Sequence, residues 1–306
     1  MNKLLLAAAL AAIATTLPAA AAKPHATAQA YQPTRFSVVV EGKGRDVILI
    51  PGLSSPRHVW DVTAVRLKKT HRVHLVQLKG FGEPAGPNAR GPVLQPFVDD
   101  LVAYIEANKI QRPAIVGHSM GGLAALMIAT DHPSLPGKLL VVDAMPFIGP
   151  LFGASSVDAV RPMADQMRAM LLANAAKTTP NFAFPDCPAS LPAPAAPKGT
   201  MTNSGQGNCL VRYGAAASDL RVVGQAMYDD MVTDLTPRLS AIKAPVTLLY
   251  PQDDRLLTAS MAAKIYADAY AGLPSAKLVP IKGSYHFIMQ DQPARFAAEL
   301  EAFLKH

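Results

Sequence analysis

The chain has 306 residues, of which 50% are hydrophobic and 17% charged, and this composition excludes disorder along its whole length. Its formal net charge of +7 comes from 29 basic and 22 acidic residues spread without a Lys/Arg block, which argues against a nucleic-acid partner. Beyond the first apolar run, no stretch reaches the roughly 20 residues of a transmembrane helix without charges or prolines.

The amino-terminal residues have the order of a leader sequence. Lys3 precedes an apolar run from Leu4 to Leu17, and small residues follow at Ala20 to Ala22. This order is typical of a secretory signal peptide, and the run is too short to cross a bilayer. We predict a signal peptide over residues 1–22, with Ala30 as a second cleavage position, and an exported protein that is periplasmic or secreted.

Short apolar runs rich in Val, Leu or Ile predict β-strands in both halves of the chain. They cover residues 36–40, 47–50, 73–76, 114–116, 139–142, 246–250 and 277–280. Runs of this kind suit strands that are covered on both faces, as in a parallel sheet. Gly42-Lys43-Gly44 separates the first two runs and predicts a hairpin.

Helical periods alternate with these strands. Phe97, Leu101, Ile105 and Ile110 lie near helical spacing, as do apolar residues of the last 14 positions, and we interpret both stripes as core-facing. The alternation predicts an α/β fold with a mostly parallel central sheet flanked by helices.

Residues 147–236 interrupt the alternation, with one long helical pattern, a Pro/Ala-rich stretch and a second helical segment. We predict that they form an inserted cap, and that residues 31–146 and 237–306 form the core domain. We refer to residues 147–236 as the insertion.

The two cysteines, Cys187 and Cys209, both lie in the insertion. In an exported protein such a pair is compatible with one disulfide, which would stabilise the fold by about 3 kcal/mol. Two unpaired buried thiols are the alternative, because sequence does not supply the separation of the Cα atoms.

A catalytic pattern follows the strand predicted at residues 114–116. Gly117-His118-Ser119-Met120-Gly121 has the spacing Gly-x-Ser-x-Gly and leads into a run of helix formers. A tight strand-to-helix turn strains the serine backbone and tolerates only small residues two positions before and after it. Ser119 would then stand exposed at a helix amino terminus, where the dipole favours negative charge.

This pattern resembles the nucleophile elbow of the α/β-hydrolase superfamily, and its companions follow in the superfamily's order of serine, acid and histidine. Pro251-Gln252-Asp253-Asp254 resembles the acid loop, with Asp254 at the matching position. The segment Gly283-Ser284-Tyr285-His286 is similar to the catalytic-histidine segment. The resemblance therefore implies a triad of Ser119, Asp254 and His286, and covers the mature chain from about Phe36 to Phe303.

The chemistry explains why each partner is needed. An imidazole must take the proton of the serine during attack, and a carboxylate must fix the tautomer of that imidazole. His286 is placed for the first role and Asp254 for the second, with Asp253 and Asp143 as alternatives for the acid.

A tetrahedral intermediate also requires two backbone donors for its negative oxygen. The elbow supplies the Met120 N–H, and the turn Pro51-Gly52-Leu53 resembles the superfamily's second donor loop, which implies the Leu53 N–H. Pro51 replaces the histidine that is usual there, and Gln77 replaces an aspartate common in a structural turn of relatives.

The insertion is expected to shape the substrate pocket. Its candidate lining residues, chosen for apolar character and position, are Met167, Met170, Phe182, Phe184 and Tyr228. The small core of the insertion is the alternative location for these side chains.

These observations predict a serine hydrolase that cleaves small-molecule carboxylic esters through an acyl-enzyme, without a cofactor or a metal ion. Amide cleavage, carbon–carbon bond hydrolysis and acyl transfer use the same apparatus, and some hydrolase-like proteins only bind ligands.

Overall fold

A seven-stranded sheet in the order β1-β3-β2-β4-β5-β6-β7 lies at the centre of the computed structural model, which describes residues 31–194 and 200–305. The strands are β1 (Phe36–Glu41), β2 (Arg45–Ile50), β3 (His71–Leu78), β4 (Ala114–His118), β5 (Lys138–Val142), β6 (Val246–Gln252) and β7 (Lys277–Lys282). All neighbouring pairs are parallel except β1 with β3. The predicted signal peptide, residues 1–22, lies outside the described residues.

Nine helices of the described chain connect or cover these strands. They are α1 (Asp61–Leu67), α2 (Leu94–Ala107), α3 (Met120–Asp131), α4 (Val157–Ala175), α5 (Gly205–Ala216), α6 (Leu220–Met231), α7 (Ala259–Ala269), α8 (Ile288–Asp291) and α9 (Pro293–Lys305). None of them combines the length and apolar content that a bilayer crossing requires. The predicted mostly parallel α/β fold is confirmed.

The predicted hairpin between the first two strands is wrong. β3 lies between them and pairs antiparallel with β1, for example Phe36 with Leu78, and parallel with β2. Gly42, with a φ of 77°, turns the chain closely over the carbonyl oxygens of Lys68 and His71. The turn that contains Gly42 therefore packs on the start of β3, and β3 pairs with β1 on one side and with β2 on the other.

The core lies on both faces of the sheet. Alternate residues of β2 point to opposite faces, so Ile48 and Ile50 join one apolar cluster while Val47 and Leu49 join the other. The predicted helical stripe of α2 packs in the first cluster, and that of α9 packs in the second. These packed layers fix the carboxyl edge of the sheet, from which the loops that contain Ser119, Asp143 and His286 extend.

The insertion connects β5 to β6 and contains α4, α5 and α6. α4 packs against α6 around a small apolar cluster that includes Val160 and Met231. Cys187 and Cys209 form a disulfide, with Cα atoms 5.7 Å apart, and tie the irregular segment after α4 to α5. The second of the two sequence-based alternatives for the cysteines, two free thiols, is therefore wrong.

Candidate active site

Ser119 lies in the tight turn between β4 and α3 with a φ of 54° and a ψ of −128°. This is a strained conformation for a residue with a side chain, as the Gly-x-Ser-x-Gly pattern predicts. Ser119 is partly exposed although its neighbours in β4 and α3 are buried. The turn thus lifts the hydroxyl above the carboxyl edge of the sheet, at the amino terminus of α3.

Glycines allow this turn to form. A Cβ atom on Gly117 would overlap the backbone of Gly121, and one on Gly121 would overlap the carbonyl oxygens of Ile50 and Pro51. The two glycines therefore let the start of α3 approach both β4 and the end of β2. The predicted requirement for small residues on both sides of Ser119 is confirmed.

His286 lies in the loop after β7, with its imidazole bonded to a carboxylate. Its Nδ1 atom is 2.6 Å from Oδ2 of Asp143, the first residue after β5. Because an ionised carboxylate can only accept hydrogen bonds, Nδ1 carries the hydrogen and Nε2 keeps a free lone pair. This is the tautomer that a general base needs.

The prediction that Asp254 bonds to His286 is wrong in this structure. Asp254 is exposed, and its Oδ1 accepts a hydrogen bond of 3.3 Å from the side chain of Gln252. Asp253 is held instead by Arg255, whose guanidinium and backbone N–H both donate to its carboxylate. Asp143, the alternative that ends the adjacent strand, is the carboxylate that reaches the imidazole.

Helix α7 holds the Asp143 loop in place. The Tyr266 hydroxyl donates to Oδ1 of Asp143, and the Tyr270 hydroxyl donates to the carbonyl oxygen of Ala144 over 2.9 Å. Burial, together with the Asp143 charge, raises the pKa of Tyr266 well above its usual range, so this hydroxyl remains a donor. Both carboxylate oxygens of Asp143 are therefore bonded.

His118 stabilises the loop that contains His286. It is fully buried, and its Nε2 donates to the carbonyl oxygen of His286 over 3.0 Å. Burial, reinforced by the proximity of His286, lowers the pKa of His118 well below its usual range, so the ring stays neutral. His118 therefore packs and forms a hydrogen bond beside the elbow.

The turn after β2 lies directly against the elbow. A Cβ atom on Gly52 would come within 2.9 Å of the Ser119 Cβ, so only glycine permits this approach. The next residue, Leu53, has a backbone N–H without an acceptor among the described residues, and the Met120 N–H belongs to the first turn of α3, where helical acceptors are missing. The structure thus places the turn that contains Leu53, and the first residue of α3, Met120, next to Ser119.

Contacts with the insertion anchor this donor turn. The Ser54 hydroxyl bonds to the carbonyl oxygen of Gly214 and, over 2.9 Å, to the hydroxyl of Ser218. A Cβ atom on Gly214 would overlap the Ser54 carbonyl oxygen, which shows how closely α5 packs there.

Gln77 is the other departure from the superfamily pattern. Its side chain accepts a hydrogen bond from the Arg57 N–H over 2.7 Å, so it has a structural role in the turn that contains Arg57.

Ser119, Asp143 and His286 all line one cavity of about 340 Å³. The insertion contributes Ile148, Leu151, Phe152, Met201 and Asp230 to its wall, and the remaining lining residues are Met120, Leu123, Ala144, Met145 and Tyr266. The cavity is therefore mostly apolar, and its polar lining residues are Ser119, Asp143, Asp230, Tyr266 and His286.

The five residues predicted to line the substrate pocket lie elsewhere. Phe184 stacks on the His58 ring at 3.8 Å, and Phe182 and Met170 are exposed. Met167 packs in the small core of the insertion together with Tyr228, whose hydroxyl accepts from Arg161. The structure therefore places the five residues outside the wall of this cavity, since apolar character alone does not reveal which side chains of the insertion face the site.

Sequence reasoning also missed most of the cavity wall, including its polar residues Asp230 and Tyr266. Met201 and Asp230 come from the insertion, which has no motif to mark them, and Tyr266 comes from α7. The helical period of α6 places Asp230 one turn from Ala226, a buried residue, and this spacing is the only sequence signal that could have suggested an inward-facing carboxyl.

A larger cavity, of about 640 Å³, lies at the opposite edge of the sheet, where Arg45, Ala114, Lys138 and Val246 begin their strands. Ligands of open α/β sheets bind outside the carboxyl ends of strands, so its position excludes it as the site of Ser119 chemistry. Within residues 31–194 and 200–305, no group of three or more His, Cys, Asp or Glu side chains is arranged to hold a metal ion.

Comparison with known families agrees with the geometry. The model of the alpha/beta hydrolase family matches residues 47–299, which is most of the chain. The chain is an α/β-hydrolase. The match begins in β2 and ends in α9, so it contains the donor turn, the elbow, the Asp143 loop and the His286 loop.

Relatives of this α/β-hydrolase include enzymes named for esters. A pimeloyl-[acyl-carrier protein] methyl ester esterase of Aliivibrio salmonicida is 24% identical over 265 residues, which cover 87% of this chain and 94% of the relative. The enzyme of the same name from Aliivibrio fischeri is 32% identical over 106 residues, which span only 35% of this chain and 39% of the relative.

Solved structures share the fold of this α/β-hydrolase. An enol-lactonase from Burkholderia xenovorans LB400 superposes with a TM-score of 0.65 at 17% identity, covering 91% of this chain and 99% of that chain. At this level of identity the superposition shows the common fold.

Proposed function

We propose that this α/β-hydrolase is an exported serine esterase that cleaves small-molecule carboxylic esters through an acyl-enzyme. Ser119 is the nucleophile, His286 the general base and acid, and Asp143 the carboxylate that orients His286. The observation that carries the proposal is the 2.6 Å contact between His286 Nδ1 and Asp143, in a cavity that Ser119 also lines.

The proposed reaction has two halves. His286 Nε2 takes the hydroxyl proton as Ser119 attacks the ester carbonyl carbon, and the resulting oxyanion accepts from the Leu53 and Met120 N–H groups. The intermediate collapses, the alcohol leaves with the proton from His286, and water then releases the acid from Ser119 by the same steps. Ester-named relatives support this substrate class.

Replacement of the nucleophile tests the proposal. Ser119→Ala should lower kcat for p-nitrophenyl butyrate by at least about 10⁴-fold, because it removes the only serine on the described wall of the cavity. Ser155→Ala, which removes an exposed hydroxyl of the insertion, is the matched control and should retain activity. Undiminished turnover by a purified, folded Ser119→Ala protein would refute the assignment.

Labelling separates an enzyme from a protein that only binds a ligand. A fluorophosphonate probe should label the wild-type protein at Ser119, because the probe reacts with activated serines. A correctly folded wild-type protein that resists the probe and hydrolyses no ester would favour the non-catalytic alternative.

Export has separate support. The leader-like residues 1–22 and the Cys187–Cys209 disulfide both fit an oxidising compartment. Mass spectrometry of the protein from the periplasm or medium should find a chain that begins near Lys23, and a full-length chain confined to the reducing cytosol would contradict export.

A further inference from the structure

Asp230 lies at the end of α6 and faces the cavity that contains Ser119 and His286. No described residue donates a hydrogen bond to its carboxylate. Its neighbour Asp229 points the other way, where two backbone N–H groups at the start of α2 donate to it over 2.7 and 3.0 Å. The two adjacent acids therefore have different roles, one in helix capping and one at the cavity wall.

The surroundings of Asp230 do not balance its negative charge with a lysine or an arginine. The cavity wall contains neither lysine nor arginine among the described residues, and its other carboxylate, Asp143, is already bonded to His286 and Tyr266. A carboxylate in an apolar environment loses solvation that only a partner of opposite charge restores fully. Among residues 31–194 and 200–305, none supplies such a partner at hydrogen-bond distance to Asp230.

We propose that Asp230 determines substrate specificity by binding a positively charged group, such as an ammonium, on the ester. The proposal rests on the proposed function, because the charged group belongs to the ester that Ser119 attacks. An ester with a carboxylate at the same place would be repelled by Asp230.

The ionisation of Asp230 should make the preference for a positively charged ester depend on pH. Burial raises the pKa of Asp230 to about 7; the attraction of His286 opposes this rise and the charge of Asp229 adds to it. Asp143 and Tyr266 are the other titratable groups on the cavity wall. Above pH 7 the Asp230 carboxylate is mostly charged and attracts a cation, whereas below pH 7 it is mostly neutral and does not.

A pair of esters with the same shape and different charge tests the proposal. The ratio of kcat/KM for acetylcholine to that for 3,3-dimethylbutyl acetate, its uncharged analogue, should exceed one in the wild-type protein at pH 8. Asp230→Asn should lower this ratio by about tenfold, because the Coulomb attraction between the carboxylate and the ammonium is lost while the shape of the side chain is kept. The ratio should rise between pH 6 and pH 8 in the wild type and stay constant in Asp230→Asn, since groups common to both reactions cancel.

Asp158→Asn is the matched control, because it removes the same charge from a side chain of the insertion that is 97% exposed. It should leave the ratio and its pH dependence unchanged. A wild-type ratio of one or less, or an equal ratio in wild type and Asp230→Asn, would overturn the proposal. Turnover of the uncharged ester, abolished by Ser119→Ala, reports on the proposed function independently, so failure of either idea is recognisable.

Discussion

The loops that follow β5 and β6 each place an aspartate at the carboxyl edge of the sheet, but they differ in what holds the carboxylate. Asp143, after β5, receives hydrogen bonds from His286 and Tyr266 and is anchored by α7. In the loop after β6, Asp253 pairs with Arg255 and Asp254 faces solvent. The hydrogen-bond partners of an aspartate at this edge, and not its strand alone, therefore decide whether its carboxylate reaches the imidazole.

The largest loss of activity should follow from a substitution in the loop after β5. Asp143→Asn should lower kcat for p-nitrophenyl butyrate by about 10³ to 10⁴-fold, because an amide at this place favours the wrong tautomer of His286. KM should change little, since Asp143 acts through the imidazole. Steady-state kinetics checks this, with the thermal unfolding midpoint as the control for folding.

A loss smaller than about tenfold in Asp143→Asn would contradict the assignment of the β5 loop. Such a result would mean that the 2.6 Å contact between Asp143 and His286 positions the loop without supporting the chemistry.

An intermediate effect is expected where α7 supports the same loop. Tyr266→Phe removes the hydroxyl that donates to Asp143 and keeps the ring that stacks on Tyr250 at 4.7 Å. Loss of one hydrogen bond to a charged group is worth about 1.5 to 3 kcal/mol, so kcat should fall by about ten- to a hundredfold.

Tyr250→Phe is the matched control for this change, because it removes a hydroxyl from the stacked neighbour without touching Asp143. If both variants lost activity equally, the effect would belong to the packing of α7 and not to the bond with Asp143.

The sequence predicts the elbow well because its geometry is local. The steric limit on Gly117 comes from Gly121, four residues further on, and a strand before and a helix after are visible in the apolar periods. His286 is predictable for a related reason, since it is the histidine in the loop after the last strand and the parallel sheet brings that loop to the same edge.

Which aspartate meets His286, and which residues line the cavity, depends on long-range contacts that the sequence does not show. β4, β5, β6 and β7 all end at one edge, so two loops can offer a carboxylate to the imidazole. The choice depends on Asp143 adopting a φ of 48°, which aspartate tolerates better than most residues, and on Tyr266, which is 123 positions away. The pocket wall depends in the same way on how the insertion packs over the sheet.

The smallest effect should come from the β6 loop. Asp254→Asn should change kcat by less than about twofold, because exposed side chains without a partner in the site contribute little. The decisive form of the measurement adds this substitution to Asp143→Asn. If Asp254 had no role, the double variant would match Asp143→Asn alone. A further loss in the double variant would show that the β6 loop can move to His286 and replace the missing carboxylate, in which case the two loops would share a role that this structure assigns to one.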